Sequence, residues 1–359
     1  MLKEIFEQEE VIQKIIRARY DKKHMKLSFP EIEKIAEEAY SCQHITIIAC
    51  GSSYHAGYVA MGYFEQIAGV DCRVEIASEY RYGPKHHLGK TIVIALSQSG
   101  ETADTLAATE ECKKIGQKII SLCNVEGSTL TRISDATLFL QAGPERAVAS
   151  TKTLTAQLCL LYLLSVFLAW KKGKITISQL STLCDDIEKM PSVAAHVLEG
   201  HRQIQDIAKK YALFHDFYFL GRGVLYPTAL EAALKLKEIA YKNAVGYPAG
   251  EMKHGPIALL DNTVPTIVFC ASTCLEEKII SNLRESKARG APIIVFGWKE
   301  LSSDFAPYSD DVFFTPISSD ILAPIGLIIA TQLFSYYMAR ELCLDIDRPR
   351  NLAKSVTVE

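Results

Sequence analysis

Residues Ile92–Thr105 read IVIALSQSGETADT. Five aliphatic residues in a row mark a strand that is apolar on both faces. Such strands belong to parallel sheets with helices packed on either side. The run then breaks into SQSGET, which places three hydroxyls and an amide around one glycine, and continues into ADTLAATEECKK, a helix by composition. A turn needs one or two such residues. The surplus at a strand-to-helix turn points to a bound group.

The same alternation extends outward in both directions. Apolar runs HITIIAC (44–50), CRVEIA (72–77), TIVIAL (91–96), KIISLC (118–123) and ATLFLQ (136–141) are separated by helical stretches such as SYHAGYVAMGYFEQIAG. This is the pattern of a doubly wound α/β fold. It then recurs. FYFLGRG (217–223) echoes ITIIACGSS, TVPTIVFCAS (263–272) echoes KTIVIALSQS, and APIIVFG (291–297) and DDVFFTP (310–316) match the fourth and fifth strands. The helix LTAQLCLLYLL returns as IATQLFSYYMA. Gly51 pairs with Gly221 and Gln157 with Gln332 at nearly equal offsets, as a tandem duplication requires. The copies are not equal: where the first has SQSGET the second has ASTCLEE, without the glycine, so only the first keeps the hydroxyl loop. The expected division is an N-terminal helical segment 1–36, a first domain 37–175, a helical connector 176–205, a second domain 206–345 and a tail 346–359. Each domain is expected to hold a five-stranded doubly wound parallel sheet.

Length and composition agree with two soluble domains. The chain has 359 residues, 48% hydrophobic and 23% charged. A net charge of −3 and a pI of about 6.3 provide no basic field for nucleic acid or anionic lipid. Ten cysteines are scattered without CxxC pairs, which argues against structural zinc and for a reducing cytoplasm. MLKEIFEQEEVIQKIIR is a charged amphipathic helix and not a signal peptide. LTAQLCLLYLLSVFLAW (154–170) approaches the length of a membrane span but contains Thr155, Gln157, Tyr162 and Ser165. With no second stretch of similar strength expected beside it, the reading is a buried helix between layers.

Ligands of open α/β sheets bind outside the carboxyl ends of the strands. At the SQSGET loop the helix start offers unpartnered N–H groups and partial positive charge, which suit a phosphate. Ser97, Ser99 and Thr102 add hydroxyls, Gln98 adds an amide, and Gly100 permits close approach. The simpler alternative is a helix cap by Ser99. Glu101 counts against an anion unless its side chain turns away. ACGSSYHAG adds Ser52 and Ser53, and AVASTKTLTAQ adds Ser150, Thr151 and Lys152. Singly these loops are more often caps; three in one domain favour a phosphorylated, polyhydroxylated ligand.

SQSGET with ACGSSY and VASTK resembles the SIS (sugar isomerase) domain family. Together with LEAALKLKEIAY, AGEMKHGP and the terminal DRPRNLAKSVTVE, the resemblance narrows to the isomerase half of the glucosamine-6-phosphate synthases, the isomerizing glutamine–fructose-6-phosphate aminotransferases. It implies conversion of fructose 6-phosphate and ammonia to glucosamine 6-phosphate with no metal or cofactor. In the helix read at 229–242, Glu231, Lys235, Glu238 and Lys242 fall on one stripe, which geometry alone makes a solvated set of ion pairs. The resemblance implies instead that Glu238 is the proton-transfer base and Lys235 its electrostatic partner. It implies that His254 opens the sugar ring and reaches the neighbouring subunit of a homodimer. Lys354 would form a Schiff base to the open ketose, Arg350 would support closure of the tail as a lid, and Val148 and Ala353 would contact the sugar. Arg146 and Ala147 stand where many members carry a smaller residue.

The full synthases begin with a glutaminase domain whose cysteine nucleophile follows the initiator methionine. Here Leu2 follows Met1, so a glutaminase is expected outside these residues, the chain being either part of a larger synthase or free-standing. Without ammonia, the expected chemistry is isomerisation of fructose 6-phosphate to glucose 6-phosphate. The alternatives are a deglycase or deaminase of amino-sugar phosphates, and a non-catalytic sugar-phosphate sensor. The sensor lacks the basic recognition helix it would need in its first 40 residues.

Overall fold

Strand His44–Ala49 (β1) lies inside the first sheet with no polar side chain but Thr46 among its buried positions. Its partners follow the sequence reading: Asp71–Ile76 (β2), Thr91–Ser97 (β3), Lys118–Cys123 (β4) and Ala136–Phe139 (β5). The order is β2-β1-β3-β4-β5, and every pairing is parallel. The structure is a computed structural model, described for residues 1–84, 89–271, 275–316 and 319–357. Ser272–Cys274 of the second copy's ASTCLEE, and with them the tenth cysteine, lie outside the described residues.

The chain forms two compact units. One comprises Glu10–Glu145, Lys152–Glu188 and the tail from Ala353, and contains this first sheet. Helices Gly51–Tyr63 (α1), Ala103–Lys114 (α2) and Thr129–Ile133 (α3) connect its strands. One face of the sheet packs Ile48, Val93, Ala95 and Ile119 against Ala108 and Cys112 of α2 and Leu130 of α3. Helix Lys152–Lys171 (α4) is buried along nearly its whole length. Here the apolar stretch is a core helix, because burial on all sides removes the need for a polar face. Gln8–Arg19 is helical as expected, but Tyr20–Asp21 then pairs antiparallel with Lys26–Leu27.

The other unit comprises Met1–Glu9, Arg146–Thr151 and Lys189–Leu352. Its strands are Asp216–Gly221 (β6), Asn243–Pro248 (β7), Thr266–Cys270 (β8), Ile293–Trp298 (β9) and Asp311–Thr315 (β10). They are again all parallel, in the order β7-β6-β8-β9-β10. The second sheet thus repeats the first strand for strand. β7 is the element that sequence reading passed over, since NAVGYP is neither long nor β-branched. Helix Leu225–Ala240 (α5) packs so closely on it that a Cβ on Gly246 would stand 2.8 Å from the backbone N of Leu230. Helix Ala323–Glu341 (α6) corrects the expectation of a single long apolar segment. With its preceding turn it is 22 residues long with a mean hydropathy of 1.6, against 1.8 for α4. Both are mostly buried.

Candidate active site

The SQSGET loop follows β3 directly, and its geometry goes beyond capping. Ser97, only 3% exposed, accepts a hydrogen bond from the Gly100 N–H at 3.0 Å and shares one with the Thr102 hydroxyl at 3.1 Å. Ser99 accepts from the Glu101 N–H at 3.2 Å, so it closes the turn and is not the cap of α2. Thr102 holds the cap position and makes no side-chain cap bond. Gly100 adopts φ +69°, and any Cβ there would lie 2.1 Å from the Ser128 hydroxyl. The Glu101 carboxylate turns to α3 and accepts from the Thr129 N–H at 2.8 Å. That bond, with the Thr129 hydroxyl, holds its carboxyl below the ordinary range. The acid therefore faces away from the loop's interior. Ser52 and Ser53 lie in the first turn of α1, and Ser53 accepts from the Gln157 amide of α4 at 3.0 Å.

The tail closes on this same unit. The Ala103 N–H, in the first turn of α2, donates to the Val356 carbonyl at 3.1 Å. Two residues earlier, the Lys354 ammonium donates to Glu145 Oε2 at 2.6 Å. Glu145 is fully buried as a side chain and also accepts from the Thr153 N–H at 3.1 Å and the Thr153 hydroxyl at 2.8 Å. A carboxylate seated on the N-terminus of α4 is favoured by that helix's unpaired amides. Sequence reading missed Glu145. An acid just ahead of a 20-residue apolar helix was the available signal. Ala353 is exposed beside Lys354.

In the other unit, α5 carries the expected pair. Lys235 is 1% exposed and ion-paired to Glu238, with Glu231 Oε1 at 3.5 Å on its other side. The stripe is thus buried and not the solvated row that helix geometry alone favours, and Glu231 joins it as a buried acid. Lys242 does not belong to it. The helix ends at Ala240, Tyr241 turns left-handed at φ +55°, and Lys242 donates to the Ala212 carbonyl at 2.6 Å. Glu238 remains partly exposed and lines a cleft of about 580 Å³ together with His215, Lys237, Tyr241 and Arg350. Arg350 places its guanidinium 4.4 Å from the centre of the Tyr241 ring, while its N–H donates to the Tyr241 hydroxyl at 2.8 Å. Val148 donates its N–H to the Asp347 carbonyl at 3.2 Å, and Ser150 follows in the same loop. His254 ends a short 3-10 turn, is exposed, and has no side-chain hydrogen bond or ion pair among the described residues.

Two groupings result. Ser52, Ser53, Ser97, Gln98, Ser99, Thr102, Ala353 and Lys354 belong to one unit; Val148, Ser150, Lys235, Glu238, His254 and Arg350 belong to the other.

Comparison with known proteins bears on both. The family described as SIS domain matches residues 38–167 and 214–342. The chain is 42% identical over 360 residues to a protein of Methanosarcina mazei named glutamine–fructose-6-phosphate aminotransferase [isomerizing], covering all of this chain and 58% of that protein. A protein of the same name from Thermotoga maritima is 42% identical over 359 residues, with 59% of it covered. The chain therefore spans about three fifths of the length of the curated relatives it matches. Among solved structures, the C-terminal domain of glucosamine-fructose-6-phosphate aminotransferase from Francisella tularensis superposes with a TM-score of 0.93 at 37% identity, covering 97% of this chain and 98% of that one. A glucosamine-6-phosphate deaminase from Thermotoga maritima reaches a TM-score of 0.74 at 21% identity, with 99% of this chain and 98% of that one covered, which is a likeness of fold alone.

Proposed function

This chain belongs to the SIS domain family, and from that premise we propose that it is the sugar-phosphate isomerase half of a glutamine–fructose-6-phosphate aminotransferase. Its substrate would be fructose 6-phosphate and, with ammonia, its product glucosamine 6-phosphate. The single observation that carries the reading is the Lys235–Glu238 pair: a buried ammonium beside a carboxylate that opens onto a cleft. Moving a proton between C1 and C2 of a ketose needs a base next to a cation that stabilises the enolate-like oxygen.

The chemistry assigns one task to each group. The SQSGET loop, with Ser52 and Ser53, receives the phosphate through hydroxyls, a glycine and the start of α2. Val148, Ser150 and Ala353 contact the sugar. His254 moves the proton that opens the furanose ring, acting from a partner subunit in a homodimer. The Lys354 amine adds to the C2 carbonyl, and water leaves as the imine forms. Glu238 then takes the C1 proton and returns it at C2, with Lys235 balancing the charge. Without ammonia, the imine is hydrolysed back to the open ketose before that transfer, which on the free C2 carbonyl gives glucose 6-phosphate. When ammonia displaces the lysine instead, the same proton transfer gives glucosamine 6-phosphate. Arg350 steadies the tail over the site. The chemistry calls for no metal or cofactor. A glutaminase domain would provide the ammonia in a longer, cytoplasmic protein. We take the domain division as 37–175 and 206–345, with 1–36, 176–205 and 346–359 as helical segment, connector and lid.

Exchange in deuterium oxide tests the reading. With fructose 6-phosphate, the protein should exchange a C1 proton of the substrate with solvent and place deuterium at C2 of the glucose 6-phosphate formed, as followed by NMR. Glu238→Gln should abolish that exchange while still binding the sugar phosphate. Unchanged exchange in the variant would defeat the assignment. Supplying ammonia with fructose 6-phosphate, and separately fructosamine 6-phosphates, distinguishes a synthase half from a deglycase.

A further inference from the structure

The loop 146–151 contains no helix or strand, so its backbone must be held by something outside itself. Three consecutive N–H groups are held by the protein. Arg146 and Ala147 donate to Oε1 of one carboxylate, Glu4, at 2.6 and 3.3 Å, and Val148 donates to the Asp347 carbonyl at 3.2 Å. Glu4 lies on the short helix Leu2–Phe6 and is only 7% exposed. A second buried tether holds the far end of the loop: Gln8, fully buried, donates to Gln332 at 2.9 Å, and Gln332 donates to the Thr151 carbonyl at 3.4 Å. All of these residues belong to one unit.

The loop's polarity follows from these bonds. With the amides of 146, 147 and 148 taken by the protein, the backbone is poor in donors for an anion and keeps carbonyl acceptors for hydroxyls. Resting on the function proposed above, we infer that Glu4 is a positioning residue for the sugar. Its buried carboxylate, seated on the Arg146 and Ala147 amides, sets the loop that presents Val148 and Ser150 to the carbon chain of fructose 6-phosphate. Glu4 touches no substrate. It acts through the backbone it holds, and Gln8 and Gln332 fix the loop's other end.

The test compares the whole chain with Glu4→Ala and Glu4→Gln by amide hydrogen exchange, by fructose 6-phosphate affinity and by turnover. Glu4→Ala should speed exchange at Arg146 and Ala147 and weaken sugar-phosphate affinity about tenfold, with kcat changed little. Glu4→Gln keeps an acceptor and should restore most of both. If Glu4→Ala fails to fold, Glu4→Asp, which withdraws the carboxylate by one methylene, should move the same two readouts in the same direction. Unchanged exchange at Arg146 and Ala147, or a loss confined to kcat, overturns the inference. Equal affinity in wild type and Glu4→Ala overturns this inference alone. A wild-type protein that binds no fructose 6-phosphate overturns the function and, with it, the role given to Glu4.

Discussion

The ammonium of Lys354, three residues before the last described position, rests 2.6 Å from the buried carboxylate of Glu145. The lysine expected to attack the substrate is thus held by an acid anchored on a core helix. Glu145→Gln keeps one acceptor for Thr153 but removes the charge that holds the tail. Amide exchange over 353–357 should rise, while the melting temperature should fall by only a few degrees. Unaltered exchange in the tail would show that the pair does not secure it.

Lys235 provides the cation between Glu231 and Glu238. Lys235→Met withdraws that cation from a fully buried Glu231 and should cost roughly 3 kcal/mol in urea unfolding. Adding Glu231→Gln should recover part of the loss. Equal midpoints for wild type and Lys235→Met would mean that the pair is not stabilised as described.

Gly100 is confined by conformation as well as by space. At φ +69°, a Cβ would lie 2.1 Å from Ser128 Oγ and 2.8 Å from Cys123 Sγ. Gly100→Ala should destabilise by about 2 kcal/mol and weaken sugar-phosphate binding more than it slows proton exchange in bound substrate. Calorimetric titration with fructose 6-phosphate checks this.

Glu101 contributes a pH dependence of known sign. The Thr129 N–H and hydroxyl depress its carboxyl below the ordinary value of 4.5. A group depressed in the folded state stabilises above its unfolded pKa, and the contribution is lost as pH falls through the folded one. As pH falls below 4.5 and through the folded value, protection of the Thr129 amide, measured against its intrinsic exchange rate, should therefore drop in the wild type. In Glu101→Gln that pH-dependent loss of protection should be absent.

Thiol reactivity should separate core from surface. Burial pushes the thiols of Cys159 and Cys184 up to about 12, and those of Cys72 and Cys270 higher still, whereas Cys343 is exposed. Iodoacetamide at pH 8 should label Cys343 first and these four only on unfolding, as read by peptide mass spectrometry.

Much of this fold can be read from period and composition alone. Strands such as TIVIAL are apolar on both faces, and the duplicated wording of α4 and α6 gives the repeat away. β7 escaped because its neighbours, not its side chains, make NAVGYP a strand. At the site, the hydroxyl loop is local and therefore legible, down to the need for Gly100. The acids are not. Glu145 and Glu4 act on groups far away in sequence, and burial decides their roles. The boundary between Ala240 and Lys242 depended on one left-handed residue, Tyr241, that helical periodicity does not foresee.

Arg146–Thr151 packs with one unit, although Glu145 before it and Lys152 after it pack with the other. The first nine residues and the tail from Ala353 are likewise exchanged between the two. Neither unit is a continuous stretch of chain, so no single cleavage of the polypeptide releases either one whole. Exchanging either unit as one block of sequence would therefore leave stray pieces behind.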